Sequence, residues 1–458
     1  MRVMHVSLGL PPLRTGGMTR YCTELSLAQV EHGDEVALLY PGRFLPGRTR
    51  IAGSTWKGIR TFEVINPLPV PLVYGIAEPD RFTKSCDNPT AYEWLLDEFR
   101  PDAIHVHCYQ GIHREFFDRA KEKHVPLLFT THDYYPMCPR CTLITSTGDE
   151  CERCGSAEAC AACNVDSGMT VAKSVIMQSR VYARLKESRL VADIGRRVKR
   201  DMSHAASGES DKRGEKSLPE EEYVKDYERL LEYNRSIFSR FDLVLTNSRL
   251  TEEVYRKSFQ GVACERLPIT HAGLSRSRRV LKRRESEHPL KIAYFGGEKR
   301  YKGFDTLMDA ADILARRGVC VELRLYGDDY MHCELPPTAA AKGKVPQDGI
   351  SRVIRESDVV CVPSRCRETF GFVVLESLCE GVPVICSDVV GASDLVPEGL
   401  KFKAGNSESL ANHIEAMANG NMNCVAVSED YPLSMRAQVE LLERYYRVRP
   451  SHFGATKR

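Results

Sequence analysis

The sequence predicts an α/β protein of two parallel-sheet units facing a cleft, the first carrying a helical and cysteine-rich insertion. Three observations carry this expectation. Strand-like and helix-like segments alternate along both halves of the chain, as they do where crossover helices join parallel strands. The 458 residues exceed what a single ordinary core holds. Residues 134–240 break the alternation, and a cluster of cysteines opens that stretch.

In chain order, residues 3–8 read as a first strand rather than a signal peptide, because no long apolar core follows Met1. A loop ending in Gly16-Gly17 leads to a helix over about 18–32, stopped by Gly33. Residues 35–40, 103–107 and 126–132 are further strands. Within 134–240 come the cysteines, a basic helical stretch over about 168–202, a polar loop over 203–218 and a helix over 221–241. The strand pattern resumes at 242–246. The first unit is therefore expected over 1–276, a charged linker over 277–289, the second unit over 290–432 and a final helical segment over 433–458.

Composition narrows the function. A formal net charge of +2 offers no global attraction to nucleic acid, and no apolar run is long enough to span a bilayer. A cytoplasmic protein with reduced thiols is the expectation.

The most informative segment is 364–376. Residues 358–363 form an apolar strand ended by proline, a loop carries Glu368, and a helix over 372–380 carries Glu376. Glu368 thus stands at the carboxyl end of a strand, where open α/β sheets bind ligands and helix N-termini offer free N–H groups to anions. Glu376 lies within an apolar helix start, where a carboxylate is costly without a partner. Earlier, Lys302-Gly303 follows a strand and Gly296-Gly297, with Lys299 and Arg300 between. His132 and His107 each end a strand of the first unit.

These motifs resemble the retaining glycosyltransferases of family 4, which have the GT-B fold. The resemblance implies a donor nucleoside diphosphate sugar, no catalytic metal, and a hexose moved to a glycan or lipid-linked acceptor in cell-surface polysaccharide or glycoconjugate synthesis. It assigns Glu368 to the transferred sugar, Glu376 to the ribose, Lys302 to the diphosphate, and His132 to the reacting centre. Backbone N–H groups of Phe370, Gly371, Phe372 and Val373 and the Gly16-Gly17 loop would meet the donor. Gly297 stands where the family carries arginine, so Arg300 or Lys299 is expected to supply that charge. A non-catalytic nucleotide-sugar or glycan-binding member of an assembly system is the alternative. The final helix is expected, by resemblance, to pack back on the first unit.

Cys138, Cys141, Cys151, Cys154, Cys160 and Cys163 form three Cys-x-x-Cys pairs. Two such pairs make a tetrahedral thiolate zinc site. A structural zinc is expected, with an iron–sulfur cluster or a redox pair as alternatives. The basic stretch that follows suits either packing on its own domain or peripheral contact with the anionic inner face of a membrane.

Overall fold

The computed structural model describes residues 1–165, 168–179, 181–182, 219–276, 288–327, 330, 334–420 and 427–447. Most of the basic stretch, the 203–218 loop, residues 277–287 of the linker and the chain beyond 447 lie outside the described residues.

Two sheets organise the molecule. The first contains β1 (Arg2–Val6), β2 (Glu35–Pro41), β3 (Arg50–Trp56), β4 (Ile59–Ile65), β5 (Ala103–Val106), β6 (Leu127–Thr130), β7 (Leu243–Thr246) and β8 (Cys264–Arg266). Their order is β3-β4-β2-β1-β5-β6-β7-β8, parallel except for β3. β1, β5, β6 and β7 are buried along nearly their whole length, as strands covered on both faces must be. The β3–β4 hairpin is absent from the sequence-based expectation. Its signal is the two-residue turn Lys57-Gly58, with φ of 48° and 83°, which suits the twist of a tight hairpin. β3 itself is too exposed to announce a strand by apolar content.

The second sheet is wholly parallel. It contains β9 (Leu290–Phe295), β10 (Val321–Tyr326), β11 (Ala339–Gly343), β12 (Val359–Val362), β13 (Val384–Ser387) and β14 (Lys401–Phe402), in the order β11-β10-β9-β12-β13-β14. No helix among the described residues is long and apolar enough to cross a membrane.

The last helix, Met435–Tyr446, lies against Gly17–His32 of the first unit. Its buried residues Met435, Gln438, Val439, Leu442 and Tyr446 recur at helical spacing. They join a core that runs from Tyr21 and Leu25 into the second sheet. Gln438 Nε2 donates to the Tyr21 hydroxyl at 3.1 Å, and the Tyr446 hydroxyl meets His105 Nδ1 at 2.7 Å. The two passages of chain between the units run side by side. Thr270 Oγ1 donates to Leu433 O at 2.6 Å, Tyr431 donates its hydroxyl to Ile269 O at 2.8 Å, and Arg276 reaches the carbonyl groups of Ser428 and Glu429 at 2.5 and 2.7 Å.

Leu442 is fully buried in this contact. Leu442→Ala should therefore lower the unfolding free energy by about 3 kcal/mol. Urea denaturation checks this; a loss under about 1 kcal/mol would be that of a surface position.

Candidate active site

Two helices start at one cavity and a third begins just after Lys302, which lines it; none of the three carries an N-cap side chain. Gly17–His32, Phe304–Arg316 and Phe372–Cys379 are preceded by Gly16, Gly303 and Gly371, all with positive φ and no capping side chain. Of the other α-helices among the described residues, five are capped by side-chain oxygens of Ser156, Thr170, Ser248, Asn406 and Ser434, and those after Pro89, His113, Glu220 and Gly349 are not. Uncapped first turns leave N–H groups and the positive end of the helix dipole facing whatever enters. Gly303 is obligatory: a Cβ there would lie 1.7 Å from the carbonyl oxygen of Pro363. That close approach brings Lys302 under the Glu368 loop.

Lys302 Nζ lies 3.0 Å from Glu368 Oε1, and Ser364 donates its hydroxyl to the same oxygen. Burial pushes the ammonium down, but Glu368 and neighbouring Cys366 outweigh it and hold Lys302 above its ordinary value. A cavity of about 520 Å³ spans both units and is lined by Gly16, Gly17, His132, Lys302, Glu368, Phe370 and Gly371, among others. A smaller one of about 200 Å³ shares Lys302, Glu368 and Gly371 and adds Phe372 and Val373. The units touch around this space. Thr369 Oγ1 donates to His132 O at 3.1 Å, Ser248 Oγ donates to Thr369 O at 2.8 Å, and Gly17 faces the Phe372 ring.

His132 belongs to a buried histidine chain. Gln29 Oε1, which can only accept, meets His5 Nε2 at 2.6 Å; His5 Nδ1 meets His107 Nε2 at 3.0 Å; His107 Nδ1 meets His132 Nε2 at 3.1 Å. With Gln29 Oε1 facing His5, each ring donates through Nε2, which leaves His132 Nδ1 as the bare nitrogen. Burial lowers His5 to about 4 and His132 to about 3, and His105 and His107 well below their ordinary value. His107, the other strand-end histidine, lies behind His132 and does not line the cavity.

Two expected donor residues are placed differently. Arg300 lines neither cavity; it lies 3.3 Å from Asp149 and 3.6 Å from Asp305. Glu376 also stands off both cavities, 3.0 Å from His271 Nε2 and 3.8 Å from Arg20. His271 was not singled out in the sequence, although it follows β8 at the end of an apolar stretch, the same setting that drew attention to His132.

The six cysteines are all free thiols. Cys141 turns away, donating to Leu72 O at 2.8 Å and receiving Gln110 Nε2 at 3.1 Å. Cys160 has Cys138, Cys154, Cys151 and Cys163 as charge neighbours. Burial pushes Cys138 up to about 11 and Cys154 up to about 12, so both are protonated at neutral pH. Among the described residues, the groups of three whose ligand atoms lie within 4.8 Å of one another are His5–His105–His107 and His32–Asp34–Glu443, so the sulfurs are neighbours without being gathered into a metal geometry.

Because the buried histidines are neutral in the fold and charge when it unfolds, their stabilisation is complete above pH ~6.5 and is lost as pH falls toward their depressed values. Burial raises Asp133 to about 6; this opposes the trend, since its contribution is present at low pH and fades between pH ~4 and 6. With several histidines against one carboxyl, the melting temperature should fall steeply from pH ~6.5 to pH ~4.5. A flat melting profile over that range would show the chain to be solvated.

Comparison with known proteins agrees with this geometry. A family model described as Glycosyltransferase Family 4 matches residues 15–149, and one described as Glycosyl transferases group 1 matches residues 289–419. An 83-residue stretch is 30% identical to phosphatidyl-myo-inositol mannosyltransferase of Mycobacterium leprae, covering 18% of this chain and 22% of that protein. The sucrose-phosphate synthase of Thermosynechococcus elongatus superposes with a TM-score of 0.53 at 15% identity, over 99% of this chain and 100% of that one. HepE of Anabaena, solved in complex with UDP, gives 0.53 at 13% identity over 99% and 97%. The catalytic domain of Arabidopsis thaliana starch synthase IV, bound to ADP and acarbose, gives 0.51 at 13% over 98% and 99%. The two sheets and the cleft between them form the GT-B fold, and with one family match on each side of that cleft, in chain order, the chain belongs to the family 4, group 1 glycosyltransferases.

Proposed function

We propose that this protein is a retaining hexosyltransferase that moves a sugar from a nucleoside diphosphate donor to a glycan or lipid-linked acceptor, in polysaccharide or glycoconjugate synthesis. The observation that carries the reading is the convergence of two uncapped helix N-termini and Lys302 on the cavity that holds Glu368. Such a site neutralises a diphosphate and keeps a carboxylate beside it for sugar hydroxyls. UDP in HepE, ADP in the starch synthase and the mannosyl activity named for the mycobacterial relative support a nucleotide-sugar donor of some kind.

The proposed step is front-face attack without a covalent enzyme intermediate. The acceptor oxygen bonds to the anomeric carbon as the bond to the donor phosphate breaks, and the acceptor proton passes to the leaving phosphate oxygen. Lys302 and the helix N-termini stabilise that phosphate. Glu368 holds the sugar, His132 stands beside the reacting centre, and Glu376, with His271 and Arg20, addresses the ribose. The same reading puts the protein in the cytoplasm, meeting a lipid-linked acceptor at the inner membrane face.

A binding protein without catalysis is the second reading. It is favoured by Gly297 at the usual arginine position and by Arg300 being paired with acids outside both cavities.

Incubation with UDP-, GDP- and ADP-sugars should release nucleoside diphosphate from one donor, and Glu368→Gln should cut that release at least about a hundredfold while leaving the fold intact. Donor binding without release, with or without acceptor, would favour the binding protein. For the cysteines, we propose a structural zinc held by four of Cys138, Cys151, Cys154, Cys160 and Cys163, with thiol protons released on binding. Elemental analysis of freshly purified protein should find about one equivalent; less than about a tenth of an equivalent of zinc or iron would exclude a resident metal.

A further inference from the structure

Arg14 is a cation of the cleft that meets no carboxylate among the described residues. It is 9% exposed, lines the larger cavity, and its Nε has no hydrogen-bond partner. Other cations around the cleft have carboxylates: Lys302 has Glu368, Arg367 has Glu150, Arg300 has Asp149, and Arg20 has Glu24. No such pair forms with Arg14 among the described residues. Asp133 lines the same cavity, but burial holds its carboxyl up at about 6, with no cation among the causes pulling it down. A guanidinium kept this far from water without an anion is costly, and side chains in that position are retained where something else supplies the charge.

Its surroundings indicate what that is. The stem of Arg14 folds back against Gly9, where an added Cβ would come within 3.0 Å of Arg14 Cγ. Its charge neighbours are Tyr182, Cys108 and Tyr74, all in the first unit. The uncapped helices and Lys302, by contrast, are already assigned to the donor phosphates. Thr142, Leu72 and Val73 line the same cavity, offering a hydroxyl and an apolar wall. A planar guanidinium favours carboxylate or phosphate through paired hydrogen bonds.

Building on the transferase reading, we propose that the acceptor carries an anionic group, a carboxylate or a phosphate, and that Arg14 receives it. The acceptor class is then an acidic saccharide or a phosphate-linked one, and a neutral glycan of the same shape binds about tenfold or more weakly.

The test observes Arg14 directly. In arginine-labelled protein, the Arg14 Nε–H resonance, assigned through its loss in Arg14→Lys, is followed while inorganic phosphate or acetate replaces chloride at constant ionic strength. A saturable shift with either anion is expected. Phosphate alone points to a phosphate-linked acceptor, acetate alone to an acidic sugar. In parallel, Arg14→Met, which keeps the stem and removes the charge, should melt no lower than wild type and lose the anion-induced part of the stabilisation. No shift with either anion would overturn the proposal. So would a marked fall in the melting temperature of Arg14→Met, because the guanidinium would then serve the fold. Glu368→Gln must keep the Arg14 shift, so failure of transfer and failure of this anion site are read separately.

Discussion

Everything at the centre of this molecule is arranged around one ion pair, Lys302 with Glu368. Both groups come from loops of the second unit, yet they face a cavity closed by the first. Removing either partner would strand the other charge, a loss typically larger than the net worth of the pair. The backbone pays for the placement: Gly303 accepts a left-handed conformation under the Pro363 carbonyl, and Ser364 supplies a second bond to Glu368. In the proposed transfer the pair would act as a preformed polar floor for a sugar and its phosphates.

Against that floor the first unit presents neutral groups. A chain of rings from His5 through His107 to His132 stays uncharged because burial makes imidazolium expensive. Its anchor, Gln29, lies on the helix that also receives the C-terminal helix. The chemistry and the packing of the chain's end therefore rest on the same face of the first sheet.

How much of this was legible beforehand divides along physical lines. Strands buried on both faces, such as β6 and β12, announce themselves by apolar content, and Glu368 and His132 were visible as polar residues at the ends of such strands. The exposed β3 and the edge strand β11 carry no such signal. Arg300 stands off both cavities for a related reason. Charge in a loop shows that a cation is available, but its direction depends on acids far away in sequence, here Asp149. Arg14, His271 and the engagement of the Cys141 thiol by Leu72 and Gln110 are likewise facts of tertiary neighbourhood, which no local spacing encodes.

The stitching between the two passages of chain has a mechanical consequence. Two tethers joined side by side, through Thr270 with Leu433, Tyr431 with Ile269 and Arg276 with Ser428, behave as a door hinge rather than a swivel. Twisting of the halves would shear those bonds, whereas a swing about their line would leave them intact. His271 sits in that strip and touches Glu376, so the part of the cleft around Glu376 lies beside the pin of the hinge. Opening would then spread the far side of the cleft, letting one ligand change places while another stays gripped near the axis.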